Sequence, residues 1–303
     1  MKTLSILFGP MKVPFLLLTP VCVILGAATA YYTQGAFRVA WFLMALAGGL
    51  FAHISVNALN EYEDFKSGLD LQTTRTPFSG GSGTLPANPG KAGWAAATGF
   101  ITLALTVAVG IYFLLARGTG LLLVGIPGVL AVYLYTRWLT RDPLLCLLAP
   151  GIGFGPCMVM GVDFVLTGTY GRVALAASLA PFFLVSNLLV INQFPDLEPD
   201  AAVGRRHLMI VHGKRAGVIV YGAFLAGAYL SVVVAWLAGL FPAAALICLA
   251  TIPLALNTYA GVSRNSHAGI EALLPYMTRN VIITLVTPTL LALGIFSDRL
   301  LAG

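Results

Sequence analysis

The chain of 303 residues is 58% hydrophobic and only 9% charged, with a net charge of +6. A soluble domain carries roughly 25% charged residues, so most of this surface faces something other than water and a soluble fold is excluded. The basic surplus reads as membrane orientation, with no nucleic-acid surface implied.

In chain order, Lys2 followed by a short apolar run resembles a secretion signal. Pro10 and Lys12 break that run, and no small-residue cleavage site follows closely, so the N-terminus reads as retained. Apolar runs follow at about 13–33, 39–60, 93–116, 119–139, 144–168, 172–194, 216–240, 242–262 and 278–301. Each suits a helix crossing ~30 Å of hydrocarbon and is about twice too long for a barrel strand. The expectation is an all-α, polytopic membrane protein with nine transmembrane helices, a single domain over 1–303. Cys22, Cys146, Cys157 and Cys248 lie in or beside these runs and form no Cys-x-x-Cys pair, so neither a disulfide framework nor a zinc site is indicated.

Of the seventeen Lys and Arg, only Arg38, Arg117, Arg172 and Arg299 fall on one side of this topology. The positive-inside rule therefore predicts a cytoplasmic N-terminus, cytoplasmic long loops and a C-terminus outside, in the cell membrane. The long loops cover about 61–92 and 195–215 and hold most of the acidic residues.

Two similar motifs open these loops. The second run ends in Asn57, Asn60, Glu61, Glu63, Asp64 and Asp70, and the sixth in Asn192, Asp196, Glu198 and Asp200. An Asn and an Asp four apart share one helix face, and the recurrence hints at internal duplication. Two facing rows make an oxygen-rich cradle of the kind Mg²⁺ shares with phosphates. Lys66, Arg75, Arg205, Arg206 and Lys214 supply cations for the phosphate oxygens. Glu61, Glu63 and Glu198 fall between motif positions and are expected to face solvent or orient neighbours. The stretch from Arg75 to Pro86, with Gly80, Gly81 and Gly83, offers backbone donors or a flexible lid, but lacks the Gly-Lys-Ser/Thr ending of a P-loop. His53, about two turns before Asn60, serves either helix packing or function. Asp163 reads as interfacial.

Asn60, Asp64 and Asp70, the Arg75-Thr76-Pro77 turn, and Asp196 with Asp200, Gly204 and Arg205 resemble the two aspartate-rich motifs of the UbiA superfamily of intramembrane prenyltransferases. Tyr133 and Arg137 look like its Tyr-x-x-x-Lys element. Phe154, Gly155, Pro156, Met160, Gly161, Thr167 and Gly168 are similar to the menaquinone-pathway branch, the 1,4-dihydroxy-2-naphthoate polyprenyltransferases. Three positions depart from the pattern: Gly68 stands where a second Asp is common, Arg137 replaces Lys, and His207 replaces Thr.

The resemblance implies a helical bundle around a central cavity with cytoplasmic cap loops. It implies Mg²⁺, an isoprenoid diphosphate donor and a hydrophobic aromatic acceptor, all meeting within the lipid bilayer. Asn60, Asp64, Asp70, Asp196 and Asp200 would hold the metal, and Lys66, Arg75, Arg137, Arg205 and Lys214 the diphosphate. Asp64, Asp196 and Tyr133 would be catalytic, with Asn57, Asn192 and His53 as further candidates. A terpene cyclase using the same site without an acceptor is the alternative. A transporter fits less well, because its ionisable residues would sit near the bilayer midplane rather than at helix ends among Lys and Arg.

Overall fold

The computed structural model describes residues 8–302, and no strand occurs among them. Nine apolar helices follow in order: α1 (Val13–Gln34), α2 (Val39–Ser67), α3 (Pro89–Arg117), α4 (Thr119–Leu134), α5 (Pro143–Thr167), α6 (Arg172–Asn192), α7 (Leu208–Leu237), α8 (Ala243–Asn265) and α9 (Ile270–Ala302). Among the described residues, eight are long and apolar enough to cross a bilayer. The fourth expected span, 119–139, is present but shorter: α4 stops at Leu134 and is about 24 Å long. Beyond it the Thr140 amide reaches back to the Tyr135 carbonyl at 3.1 Å, so the chain turns.

Other boundaries move because hydropathy reports the lipid-facing length and not where the hydrogen-bond ladder ends. Helix α2 continues past 60 to Ser67, carrying the first acidic motif on a rigid helix. It stops at Gly68, whose φ of 82° is left-handed backbone that suits glycine. Helix α7 starts at Leu208 instead of 216 and kinks at Gly213, and α9 starts at Ile270 instead of 278.

Burial of apolar side chains drives little helix association in lipid, where close packing and polar links do the work. Helix α6 is the central element, with Ala174, Ala176, Ala177 and Ala180 buried. Gly151 and Gly155 let α5 lie against it: a Cβ on Gly155 would stand 2.5 Å from the Ser178 carbonyl oxygen. After Pro150 and around Pro156, α5 widens into a π-helix over Gly153–Met160. Proline withholds a backbone donor, and such widened turns often serve functional sites. Asn187 donates to the Tyr221 carbonyl at 2.8 Å and the Tyr221 hydroxyl to Asn280 at 2.7 Å, linking α6, α7 and α9. Asp163 is buried rather than interfacial and accepts from the Thr29 hydroxyl at 2.8 Å, linking α5 to α1. Leu115, Leu123 and Leu237 point outward, as a lipid-facing surface requires.

At one end of the bundle Arg117 donates to the Val165 carbonyl and Arg299 to that of Tyr32, each at 2.6 Å, gathering the ends of α1, α3, α5 and α9. The acidic motifs gather at the other end. Between the ends lies a cavity of about 1010 Å³, walled chiefly by α1 to α6.

The α5–α6 contact makes a direct prediction. Gly155→Ala should destabilise the detergent-solubilised protein by about 1–3 kcal/mol, the usual cost of overpacking. Gly153→Ala, where nothing lies within 4 Å of the new methyl, should leave the melting temperature within a degree or two. Equal effects would contradict the packing described.

Candidate functional site

The roof of the cavity is built from two segments far apart in sequence. On α2, Asn60 and Asp64 lie one turn apart, and the Asn60 amide donates to Asp64 Oδ2 at 2.9 Å. Asp196 precedes a short helix, Leu197–Ala202, on which Asp200 follows one turn later. The chain then doubles back, with the Arg205 amide on the Asp200 carbonyl at 3.0 Å. The Arg205 guanidinium donates to Asp200 Oδ1 at 2.9 Å and to Asp64 Oδ1, so one largely buried cation ties the two motifs together. The Arg206 amide fastens the same loop to the Thr140 carbonyl at 2.9 Å.

The glycine-rich stretch closes over this cradle. Glu61 is fully buried, so of the two expected roles the solvent-facing one is corrected and the carboxylate orients a neighbour. Its carboxylate accepts from the Ser82 amide at 2.9 and 3.1 Å and from the Ser82 hydroxyl. Thr76 Oγ1 accepts from the Ser79 amide at 2.9 Å, shaping the turn after Arg75. Beyond the left-handed Gly68, Asp70 sits on the single turn Leu69–Leu71 and packs against Gly81. The two-residue delay before Asp70 thus moves its carboxylate off α2 and under the lid.

Asn57, Asn60, Asp64, Asp70, Arg75, Asn192, Asp196, Asp200, Arg205 and His53 all border the cavity. Asn57 is partly committed, its amide donating to the Met11 carbonyl at 2.9 Å. Tyr133, Arg137 and Lys66 do not join them; they line a separate crevice with Glu63. Tyr133 is 49% exposed there, and Arg137 lies 3.7 Å from Glu63. Lys214, on the α7 side of the roof, is likewise absent from the cavity wall. Sequence reasoning passed over Lys12, whose ammonium donates to Asn60 Oδ1 at 2.8 Å and lies 3.7 Å from Glu61. It also passed over Tyr135, which reaches the cavity in place of Tyr133.

Residues 19–282 match the UbiA prenyltransferase family. The chain belongs to that family. It is accordingly an integral membrane protein, as its apolar helices require. The 1,4-dihydroxy-2-naphthoate octaprenyltransferase of Bacillus subtilis (strain 168) is 28% identical over 198 residues, spanning 63% of this chain and 61% of the relative. Three solved structures share the fold. A UbiA homologue from Aeropyrum pernix aligns with a TM-score of 0.70 at 17% identity, over 94% of this chain and 98% of that one. A digeranylgeranylglyceryl phosphate synthase structure gives 0.69 at 16%, over 98% and 100%. A UbiA homologue from Archaeoglobus fulgidus, bound to DMAPP and Mg²⁺, gives 0.66 at 12%, over 96% and 99%.

The UbiA cradle is rich in hard oxygens but is not a preassembled metal cluster: no group of three acidic, His or Cys side chains stands ready among the described residues. The reason is visible in the pairing, since Arg205 occupies the space between Asp64 and Asp200. Two oxygens remain buried without partners, Asp70 Oδ2 and Asn192 Oδ1, and orphaned acceptors of this kind suit a divalent cation. Asp70 and Asp196 are both pushed up to about 7. Burial is the larger cause for each, followed by Glu61 and Asp64 beside Asp70 and by Asp200 beside Asp196.

These raised values fix a sign. Both carboxyls ionise near 3.8 in the unfolded chain and near 7 when folded, so the metal-free protein should lose stability as pH rises between those values. Metal ligation needs the ionised form. In thermal melts, the stabilisation by Mg²⁺ with inorganic pyrophosphate should grow from pH 5.5 to about 7 and flatten above it. An equal shift at pH 5.5 and pH 8 would contradict this assignment.

Proposed function

We propose that the chain transfers a prenyl group from an isoprenoid diphosphate to an aromatic acceptor of quinone-precursor type within the membrane, using Mg²⁺ and releasing diphosphate. The observation that carries this reading is a single cavity with a charged roof and an apolar body. Its roof holds Asp64, Asp196, Asp200, Arg75 and Arg205, and its deeper walls are Leu, Val, Gly, Phe and Met from α2 to α5. A diphosphate with a hydrocarbon tail has the same two-part chemistry. The name of the Bacillus subtilis relative points to the acceptor class.

The donor set for Mg²⁺ would be Asn60, Asp64, Asp70, Asp196 and Asp200, with Asn192 adjoining. Bound there, the ion would neutralise diphosphate oxygens and favour their departure. Arg75 and Arg205 would hold the phosphate from the roof, joined by Lys12. Lys66, Arg137 and Lys214 lie outside the cavity and take no part in this account, and Tyr133 gives way to Tyr135. In the reaction the bond between C1 of the prenyl group and the diphosphate oxygen breaks, and its electron pair leaves with diphosphate. A ring carbon of the acceptor bonds to C1 and then sheds its proton. The apolar walls and the Glu61-tethered lid keep water from the allylic cation. The basic residues of the roof would put this end in the cytoplasm and the end of α9 outside.

Purified protein given Mg²⁺ and geranylgeranyl diphosphate should form a prenylated product only when 1,4-dihydroxy-2-naphthoate is present. An Asp64→Ala/Asp196→Ala variant should lose at least about 10²-fold in turnover, as the loss of preorganised charge does elsewhere. Tyr133→Phe and Arg137→Ala should stay within about twofold, as distant surface changes do. Hydrocarbon or terpene alcohol formed without acceptor would make the chain a cyclase instead.

A further inference from the structure

One polar group in the membrane half of the cavity has an unused hydrogen-bonding atom. His53 lies seven residues before Asn60 on α2, about 10 Å deeper at 1.5 Å per residue. It borders the cavity and is only 6% exposed. Its Nδ1 pairs with the Thr19 hydroxyl of α1 at 2.9 Å, and its ring meets that of Phe154 edge to face, with centroids 4.8 Å apart. Among the described residues Nε2 has no hydrogen-bond partner, yet it is not sealed from the cavity. Two hydroxyls that also line the cavity spend their protons on backbone carbonyls: Thr106 donates to the Thr102 carbonyl at 2.9 Å and Thr284 to that of Asn280 at 2.8 Å. The widened turn of α5 supplies the facing wall through Phe154, Cys157 and Met158.

We infer that His53 Nε2 hydrogen-bonds a ring oxygen of the aromatic acceptor and so fixes which ring carbon faces the prenyl C1. This assignment rests on the transferase reading above. A prenyl tail carries no polar atom, and the diphosphate belongs to the roof two to three turns above, so neither part of the donor satisfies Nε2. A flat oxygenated ring satisfies both features of the site, its edge on the imidazole and its face or edge on Phe154. The Thr19 bond fixes the ring plane. It permits either tautomer, and a hydroxyl can give or take the hydrogen bond accordingly. The assignment also accounts for an imidazole at a depth where side chains that must pair are rare and functional.

The test uses the purified full-length chain with Mg²⁺, geranylgeranyl diphosphate and 1,4-dihydroxy-2-naphthoate. His53→Phe should raise the acceptor KM about 10- to 100-fold while the donor KM stays within about twofold. His53→Gln, which keeps a hydrogen-bonding group at that depth, should recover much of the loss. A second measurement does not depend on the Phe variant folding. Methylating a ring hydroxyl should raise the wild-type acceptor KM at least about tenfold, and His53→Ala, which frees space, should shrink that penalty. An acceptor KM unmoved by His53→Phe, an equal rise in both KM values, or a methylation penalty unchanged by His53→Ala would overturn the assignment. A wild-type protein that forms no acceptor-dependent product would overturn the transferase reading itself.

Discussion

The arrangement of the roof depends on one largely buried cation. Arg205 reaches Asp200 on its own loop and Asp64 on α2, 141 residues away. The burial of Arg205 works against its own charge, and the two carboxylates outweigh that cost and hold it protonated. Such a pair adds little net stability when complete, but removing one member costs about 3–5 kcal/mol because a buried charge is left alone. Its value here is positional: it brings the ends of α2 and α6 to one roof, and the Arg206 and Glu61 contacts seat the adjoining loops around it.

Lipid imposes the second constraint. The body of the bundle cannot draw on water exclusion between helices, so it closes through small residues on α5 and α6 and through hydrogen bonds such as Asn187–Tyr221–Asn280. Polar chemistry is thereby concentrated at one end, and the cavity beneath stays largely apolar. His53 is the exception that carries meaning, because its position is held from α1 while its second nitrogen is left open. The same logic explains why α5 widens where it borders the cavity. Pro150 and Pro156 loosen the ladder, and Phe154 and Met158 of the widened turn line the cavity.

Much of this was legible in the residues. Eight spans follow from apolar length alone, and the pairing of Asn60 with Asp64 follows from helical spacing. The resemblance carried by the aspartate motifs agrees with the family match over residues 19–282. Hydropathy overstates the length of α4 because it does not register where the regular ladder gives way to turns after Leu134. Tyr133 and Arg137 rest on the resemblance to a Tyr-x-x-x-Lys element, and a four-residue spacing does not say which way their side chains point. Tyr135 lies about 200° further round the helix and meets the cavity instead. Glu61 and Lys12 gave no local signal, since their partners, Ser82 and Asn60, come to them only through tertiary folding.

The central claim is that the roof binds diphosphate through Mg²⁺. The most direct measurement is calorimetric titration of the detergent-solubilised protein with geranylgeranyl diphosphate, in Mg²⁺ and in excess EDTA. The account predicts saturable binding at one site in Mg²⁺, weakened at least about tenfold in EDTA and in Asp64→Ala, since metal-site changes of this kind cost 10- to 100-fold. Binding of equal strength with and without the metal, and indifferent to Asp64, would contradict it.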